Sequence, residues 1–136
     1  MELLFINKVT TNRNAFADKV KSISAKLGIV PDALMFVMNY ETGGTFSPSV
    51  QNSDSGATGL IQFMPDTALG LGTTTDALKN MTAVEQLDYV YKYLKTYKGD
   101  MHDVYDVYLA VFYPQALFEN DDFIIGTEKS IAYSQQ

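Results

Sequence analysis

The stretch MNYETGGTFSPSVQNSDSGATGLIQFMPDTA, residues 38–68, holds the main structural question of this chain. The apolar run ALMFVMNY, residues 33–40, ends in one acid, Glu41, and two glycines follow, Gly43 and Gly44. Pro31 and Asp32 suit a helix opening, with proline in the first turn and an acid at the positive dipole end. The helix expected over 31–41 is apolar almost all round, at Ala33, Leu34, Phe36, Val37 and Met38, a pattern of burial on several sides. The glycines at 43 and 44 end it. Residues 43–56 are rich in Ser, Asn, Gly and Pro and read as a loop. The apolar run after them predicts a short helix over 57–63, and Pro65 opens another to about Leu69, stopped by Gly70 and Gly72.

The flanking chain is also helical in pattern. Phe16, Val20, Ile23 and Leu27 repeat at three to four residues and predict a helix from Asn12 to Leu27, closed by Gly28. A turn is expected over 75–79. Thr82 with Glu85 three residues on forms a capping box. It opens a helix over 83–98 with Val84, Leu87, Val90, Tyr91, Leu94 and Tyr97 on one face. A further helix runs from about Asp103 to Tyr113 and ends at Pro114, and a last turn or two is expected over 127–133. Strand alternation is confined to Phe123–Ile125. There is no internal repeat and no low-complexity tract. The expected architecture is all-α, one compact domain over 1–136 with short connections.

Composition narrows the function. A chain of 136 residues, nearly half of them apolar, is enough for one hydrophobic core. There is no cysteine, so disulfides and Cys-based metal sites are excluded. The lone histidine, His102, has no cluster of ligands around it, so no metal or cofactor is expected. Ten Lys plus Arg against sixteen Asp plus Glu give a formal charge of −6. That balance argues against a nucleic-acid partner, which would want a basic stripe, and against an anionic membrane surface. No apolar stretch approaches a membrane span, so no membrane insertion is expected. The opening MELLFINKVTTNRNAF has no basic lead and no long apolar centre, so it is not read as a secretory signal.

Glu41 is the candidate for chemistry. A carboxyl placed after Met35, Phe36, Val37, Met38 and Tyr40 and facing a cleft would be partly desolvated, which raises its pKa. The negative end of the helix dipole pushes the same way. A carboxyl still protonated near neutrality can act as a general acid, and glycosidic cleavage needs one at the leaving oxygen. The loop behind it offers hydroxyls and amides at Ser47, Ser49, Gln51, Asn52, Ser53 and Ser55, and Gln62 stands as a polar residue in an apolar run. Each feature also has a plain structural reading. A Glu at a helix end decorates a surface, a Gly/Ser loop is a loop, and a Gln among apolar residues faces solvent. Likewise the six methionines and most of the nine tyrosines, such as Tyr91 and Tyr97, read as core; Tyr40, beside Glu41, is the exception. Composition and spacing alone give a helical domain with a candidate cleft acid.

The segment ETGGTFSPSVQNSDSGATGLIQFMPDTA carries more than that. It resembles the signature of the soluble lytic transglycosylase family, approximately E-S-G-x-F-x-P-x-A, a short loop, then G-A-x-G-L-x-Q-x-M-P-x-T-A. GATGLIQFMPDTA matches at nearly every position. Glu41, Gly43, Phe46 and Pro48 match the first half, with one extra residue before Phe46. The later QLDYVYKYL and YLAVFYP segments resemble phage-type members in order and spacing, and the likeness covers roughly residues 30–115. It implies a lysozyme-like fold of the goose type with a substrate cleft. It also implies cleavage of peptidoglycan glycan strands between N-acetylmuramic acid and N-acetylglucosamine. Glu41 takes the position of the family's acid, working twice and giving 1,6-anhydro products without a cofactor. Tyr40, Thr42, Gln62, Phe63 and Tyr113 are the implied substrate contacts.

The departures are specific. Thr42 stands where the family has serine. Where many members have A-Y-N-A-G, this chain has Ala110-Val111-Phe112-Tyr113-Pro114; aligning on Leu109-Ala110 puts Phe112 at the tyrosine position, and a one-residue slip gives it to Tyr113. The hydroxyl favours Tyr113. Asp54, thirteen residues after Glu41, either holds a turn or serves as a second carboxylate in an inverting, hydrolytic muramidase. A non-catalytic wall-binding module is the other alternative, and a plain helical interaction domain the third. The phage-like segments imply a virion or tail protein acting on the wall from the host periplasm, with other phage structural proteins as partners. They also allow 1–136 to be one domain cut from a longer chain.

Overall fold

The computed structural model describes residues 2–118. The expectations at Phe123–Ile125 and 127–133 lie outside the described residues. A 3₁₀ turn at Ile6–Lys8 precedes six helices: α1 (Arg13–Leu27), α2 (Pro31–Glu41), α3 (Pro65–Gly70), α4 (Thr75–Lys79), α5 (Ala83–Lys95) and α6 (Val104–Phe112). A second 3₁₀ segment, Pro114–Phe118, follows α6. Among the described residues extended pairing is limited to two isolated bridges, Gln51 with Thr58 and Thr58 with Phe63. The architecture is all-α.

The expected stripes make the core. Phe16, Val20, Ile23 and Leu27 of α1 are buried together with Leu87, Val90 and Leu94 of α5. α2 lies between α1 and α6 and buries Ala33, Leu34, Met35, Val37 and Met38. The polar ends follow the capping rules. Thr82 and Glu85 close the reciprocal box at α5, and the Asp103 carboxylate accepts from the Asp106 N–H at the start of α6. α5 ends at Lys95 rather than 98, and the chain then turns to Gly99.

One expected element is absent. Residues 57–63 are a bridged turn, not a helix. Gly59 and Gln62 both take left-handed backbone angles, φ 86° and 55°, which no right-handed helix contains. Leu60, Ile61 and Phe63 are buried all the same. An apolar run this short buries itself equally well as a turn, so its composition does not decide its conformation.

The turn is held by a side chain from α5. Gln86 is completely buried. Its carboxamide donates to Pro48 O and Leu78 O, both at 2.9 Å, and its Oε1 accepts from the Leu60 N–H at 2.7 Å. A Cβ on Gly59 would overlap that carboxamide, so glycine is required there for space as well as for φ. Gln86→Leu keeps approximately the volume but strands three backbone groups, two buried and one part-buried. Because each such group costs about 1–3 kcal/mol, the expected loss is roughly 3 kcal/mol or more. The urea midpoint measures it; a midpoint equal to wild type would show that Gln86 is not the clamp.

Candidate active site

The end of α2 is a built terminus. Gly44 N–H reaches Asn39 O at 2.8 Å and Gly43 N–H reaches Tyr40 O at 3.3 Å. With Gly43 at φ 63° this is a Schellman closure, which satisfies carbonyls left over in the last turn. Thr42, the C-cap residue, donates its hydroxyl to Met38 O at 2.7 Å and accepts from the Phe46 N–H at 2.9 Å. Phe46 is buried against Phe16, edge to face at 6.1 Å. From the N-terminal segment, Lys8 donates to the Asn39 side chain at 3.0 Å, close over Gly44. The last residue of α2 is therefore held from three directions.

That residue is Glu41. It is partly buried, and the burial pushes its carboxyl from an ordinary 4.5 up to about 7. Among the described residues the one ion pair is Lys19 with Asp88, so no cation relieves the desolvation. The result is a carboxyl that carries a proton at near-neutral pH and can lose it again.

The chain after α2 is fastened locally. The Asn52 carboxamide oxygen accepts from the Asp54 and Ser55 N–H groups at 2.8 and 3.1 Å. Asn52 thus holds the turn, and Asp54 is exposed upon it. Thr58 is buried, donates to Gly56 O and accepts from the Gln51 side chain. The Gln62 amide donates to Val50 O at 3.2 Å and Gly59 O at 3.1 Å. Its partners are backbone carbonyls rather than Glu41, and its Oε1 takes no hydrogen bond from the described residues.

Two expected contacts need correction. Thr42 and Phe63 are each only 2% exposed. The Thr42 hydroxyl is spent on α2 and its loop, and the Phe63 ring lies edge-on to Tyr93 at 6.5 Å. Neither side chain offers surface to a glycan. Tyr40 does, being well exposed, with its ring against Tyr108 at 5.8 Å. Tyr108 in turn stacks on Phe112 at 5.3 Å and 20°. It is Phe112, not Tyr113, that is joined in this way to Tyr40; Tyr113 is half-buried and caps α6 through its N–H to Leu109 O.

Sequence reasoning missed Gln86, Tyr93 and Tyr108. Tyr93 donates its hydroxyl to Ala110 O at 2.6 Å, linking α5 to the last turns of α6. Gln86 had one visible signal, four residues before Val90 and eight before Leu94 on the buried stripe. Tyr108 had another, four residues before Phe112.

One pocket of the surface does not include Glu41. This cavity of ≈ 290 Å³ is lined by residues including Val9, Thr11, Phe46, Pro48, Thr82 and Val84. It contains no ionisable side chain, so cavity size does not locate acid–base chemistry here. Among the described residues no cluster of His, Asp and Glu could hold a metal ion, and no helix is long and apolar enough to cross a membrane.

Residues 18–112 match the family model described as Transglycosylase SLT domain. No curated protein and no solved structure matches the chain. The matched span takes in Glu41, the fastened loop, Gln86 and Phe112, and covers well over half the sequence. With this all-helical, lysozyme-like fold, the chain belongs to the transglycosylase SLT domain family, the peptidoglycan-cleaving lytic transglycosylases.

Proposed function

We propose that Glu41 is the sole acid–base residue in cleavage of the β-1,4 bond between N-acetylmuramic acid and N-acetylglucosamine. The observation that carries this reading is a partly buried carboxyl with a pKa near 7 at a rigid helix end. The protonated carboxyl donates to the bridging oxygen as the C1–O bond breaks, and the glucosamine leaves with a free 4-hydroxyl. The 2-acetamido group of the muramic sugar supports the positive C1. The Glu41 carboxylate then takes the proton from the same sugar's 6-hydroxyl while O6 bonds to C1. A 1,6-anhydro ring results, and Glu41 ends protonated, ready for another turn.

Around this centre we assign Tyr40 and the free Oε1 of Gln62 as glycan contacts. Thr42 acts through the backbone, by fixing the turn that carries Glu41. Asp54, exposed on a turn that Asn52 holds, has no part in the scheme. The likeness of QLDYVYKYL and YLAVFYP to phage-type sequences supports a place in a virion or tail, with the host wall reached from the periplasm.

Glu41→Gln is expected to lower wall cleavage by about 10³-fold, within the range for loss of a general acid, while the helical circular dichroism stays unchanged. Near-normal clearing by the variant would remove Glu41 from its role. Mass spectrometry of wild-type digests is expected to show anhydro-muramyl ends; products heavier by one water would mean hydrolysis instead.

Two pH effects follow from the raised pKa. Cleavage is expected to fall as pH rises through about 7, because the proton to be donated is lost. Stability moves in the same sense. Between the ordinary value of 4.5 and the folded value of about 7, the folded chain holds a proton that the unfolded chain has released. Stability therefore declines over that interval as pH rises. Glu41→Gln escapes this decline, so thermal melts should show it matching wild type at pH 4 and exceeding it at pH 8. Equal midpoints at both would contradict the burial of the charge.

A further inference from the structure

Five of the eight large apolar side chains exposed among the described residues belong to one seam: Val30, Phe36, Tyr40, Val104 and Phe112. They range from 39% exposed at Phe112 to 66% at Val30. Phe36 and Tyr40 are four apart on α2, and Val104, Tyr108 and Phe112 are four apart on α6, so each set lies along one helix face. The two helices pack together and run in the same general sense. Val30 and Val104 line a small common cavity at their N-terminal ends, and Tyr40 meets Tyr108 farther along. The Tyr108 ring, stacked on Phe112 and edge-on to Tyr40, joins the faces into one ledge.

An exposed apolar concentration of this kind marks a binding surface. Its occupant is indicated by what adjoins it. The ledge ends at Tyr40, next to Glu41, and the family's substrate is a polymer, whose chain must extend past the acid over neighbouring surface. The five side chains are uncharged and three are aromatic, which suits the apolar faces of neutral sugar rings and offers an anion nothing to pair with. We propose that the α2–α6 seam is a glycan-binding ledge that holds the strand beyond the bond being cleaved, through Phe36, Tyr40, Val104 and Phe112. This rests on the reading of Glu41 as the catalytic acid, since that reading is what brings a glycan to Tyr40.

The test uses the whole chain carrying Glu41→Gln, so that bound glycan survives. Binding of a peptide-free probe, chitohexaose, is measured by calorimetry, and retention on purified walls by pelleting. Adding Phe36→Ala with Val104→Ala is expected to weaken both by about tenfold. The helical circular dichroism should be retained, because neither side chain belongs to the buried core. Phe36→Tyr, which keeps a ring, should bind like its parent. Equal chitohexaose affinity with and without Phe36→Ala and Val104→Ala would overturn the ledge. So would loss of self-association by those substitutions, in sedimentation, with glycan binding unchanged, since the seam would then cover a second copy. Cleavage by the unsubstituted protein is scored separately. Clearing of walls together with an indifferent seam defeats the ledge alone; no clearing, with seam-dependent binding, defeats the catalytic reading alone.

Discussion

The carboxamide of Gln86 links the loop and turn that follow α2 to α5 and α4. Between Glu41 and Pro65 the chain forms no helix and only two bridges. Its buried backbone groups therefore have to be satisfied one at a time. From a fully buried position Gln86 serves two backbone groups of this segment, Pro48 O in the loop after α2 and Leu60 N–H in the turn, and binds Leu78 O at α4 as well. A satisfied buried amide gains little over its hydration in water, whereas a stranded one costs much more. The clamp thus works mainly by penalising every arrangement that breaks it. Gly59 completes it by leaving room for the carboxamide where any other residue would intrude.

Fastening the loop makes a desolvated acid tenable. The Schellman closure, the Thr42 hydroxyl and the buried Phe46 ring fix the last turn of α2 without an ion pair to Glu41 among the described residues. A nearby Lys or Arg would favour the carboxylate and lower its pKa, and the proton would be gone at neutral pH. The uncompensated burial is therefore a local weakness with a chemical use. The apolar contacts of Leu34, Met35 and Met38 in the preceding turns offset it.

The sequence was most readable where a periodic pattern and a cap coincide. α1, α2 and α5 start and stop close to their apolar stripes because Pro31, Gly28, Gly43 and the Thr82–Glu85 box act within a few residues of chain. Glu41 was legible for the same reason, as a lone acid closing an apolar helix. The turn at 57–63 was not. Leu60, Ile61 and Phe63 have the composition of a buried helix, and what bends them is a left-handed Gln62 together with a long-range bond to Gln86. Neither leaves a local mark. Thr42 and Phe63 were placed at the glycan by their neighbours in the signature, but adjacency in sequence does not give direction. Both side chains turn into the protein. Gln86 hid because a polar residue in the first turn of a helix ordinarily faces water.

The same helix that carries the clamp also steadies the aromatic side. Tyr93, two turns beyond Gln86 on α5, donates to Ala110 O, a carbonyl in the last turn of α6 with no helical N–H left to receive it. Its ring meets Phe63 edge-on, immediately after Gln62. α5 thus fixes the polar turn through Gln86 and the end of α6 through Tyr93, while α2 reaches both, by its loop on one side and by Tyr40 on Tyr108 on the other. Among the described residues the acid itself has no hydrogen bond that would hold its side chain in one pose. Its position comes from backbone that three other elements restrain, which leaves the carboxyl free to exchange a proton without disturbing any bond the fold requires.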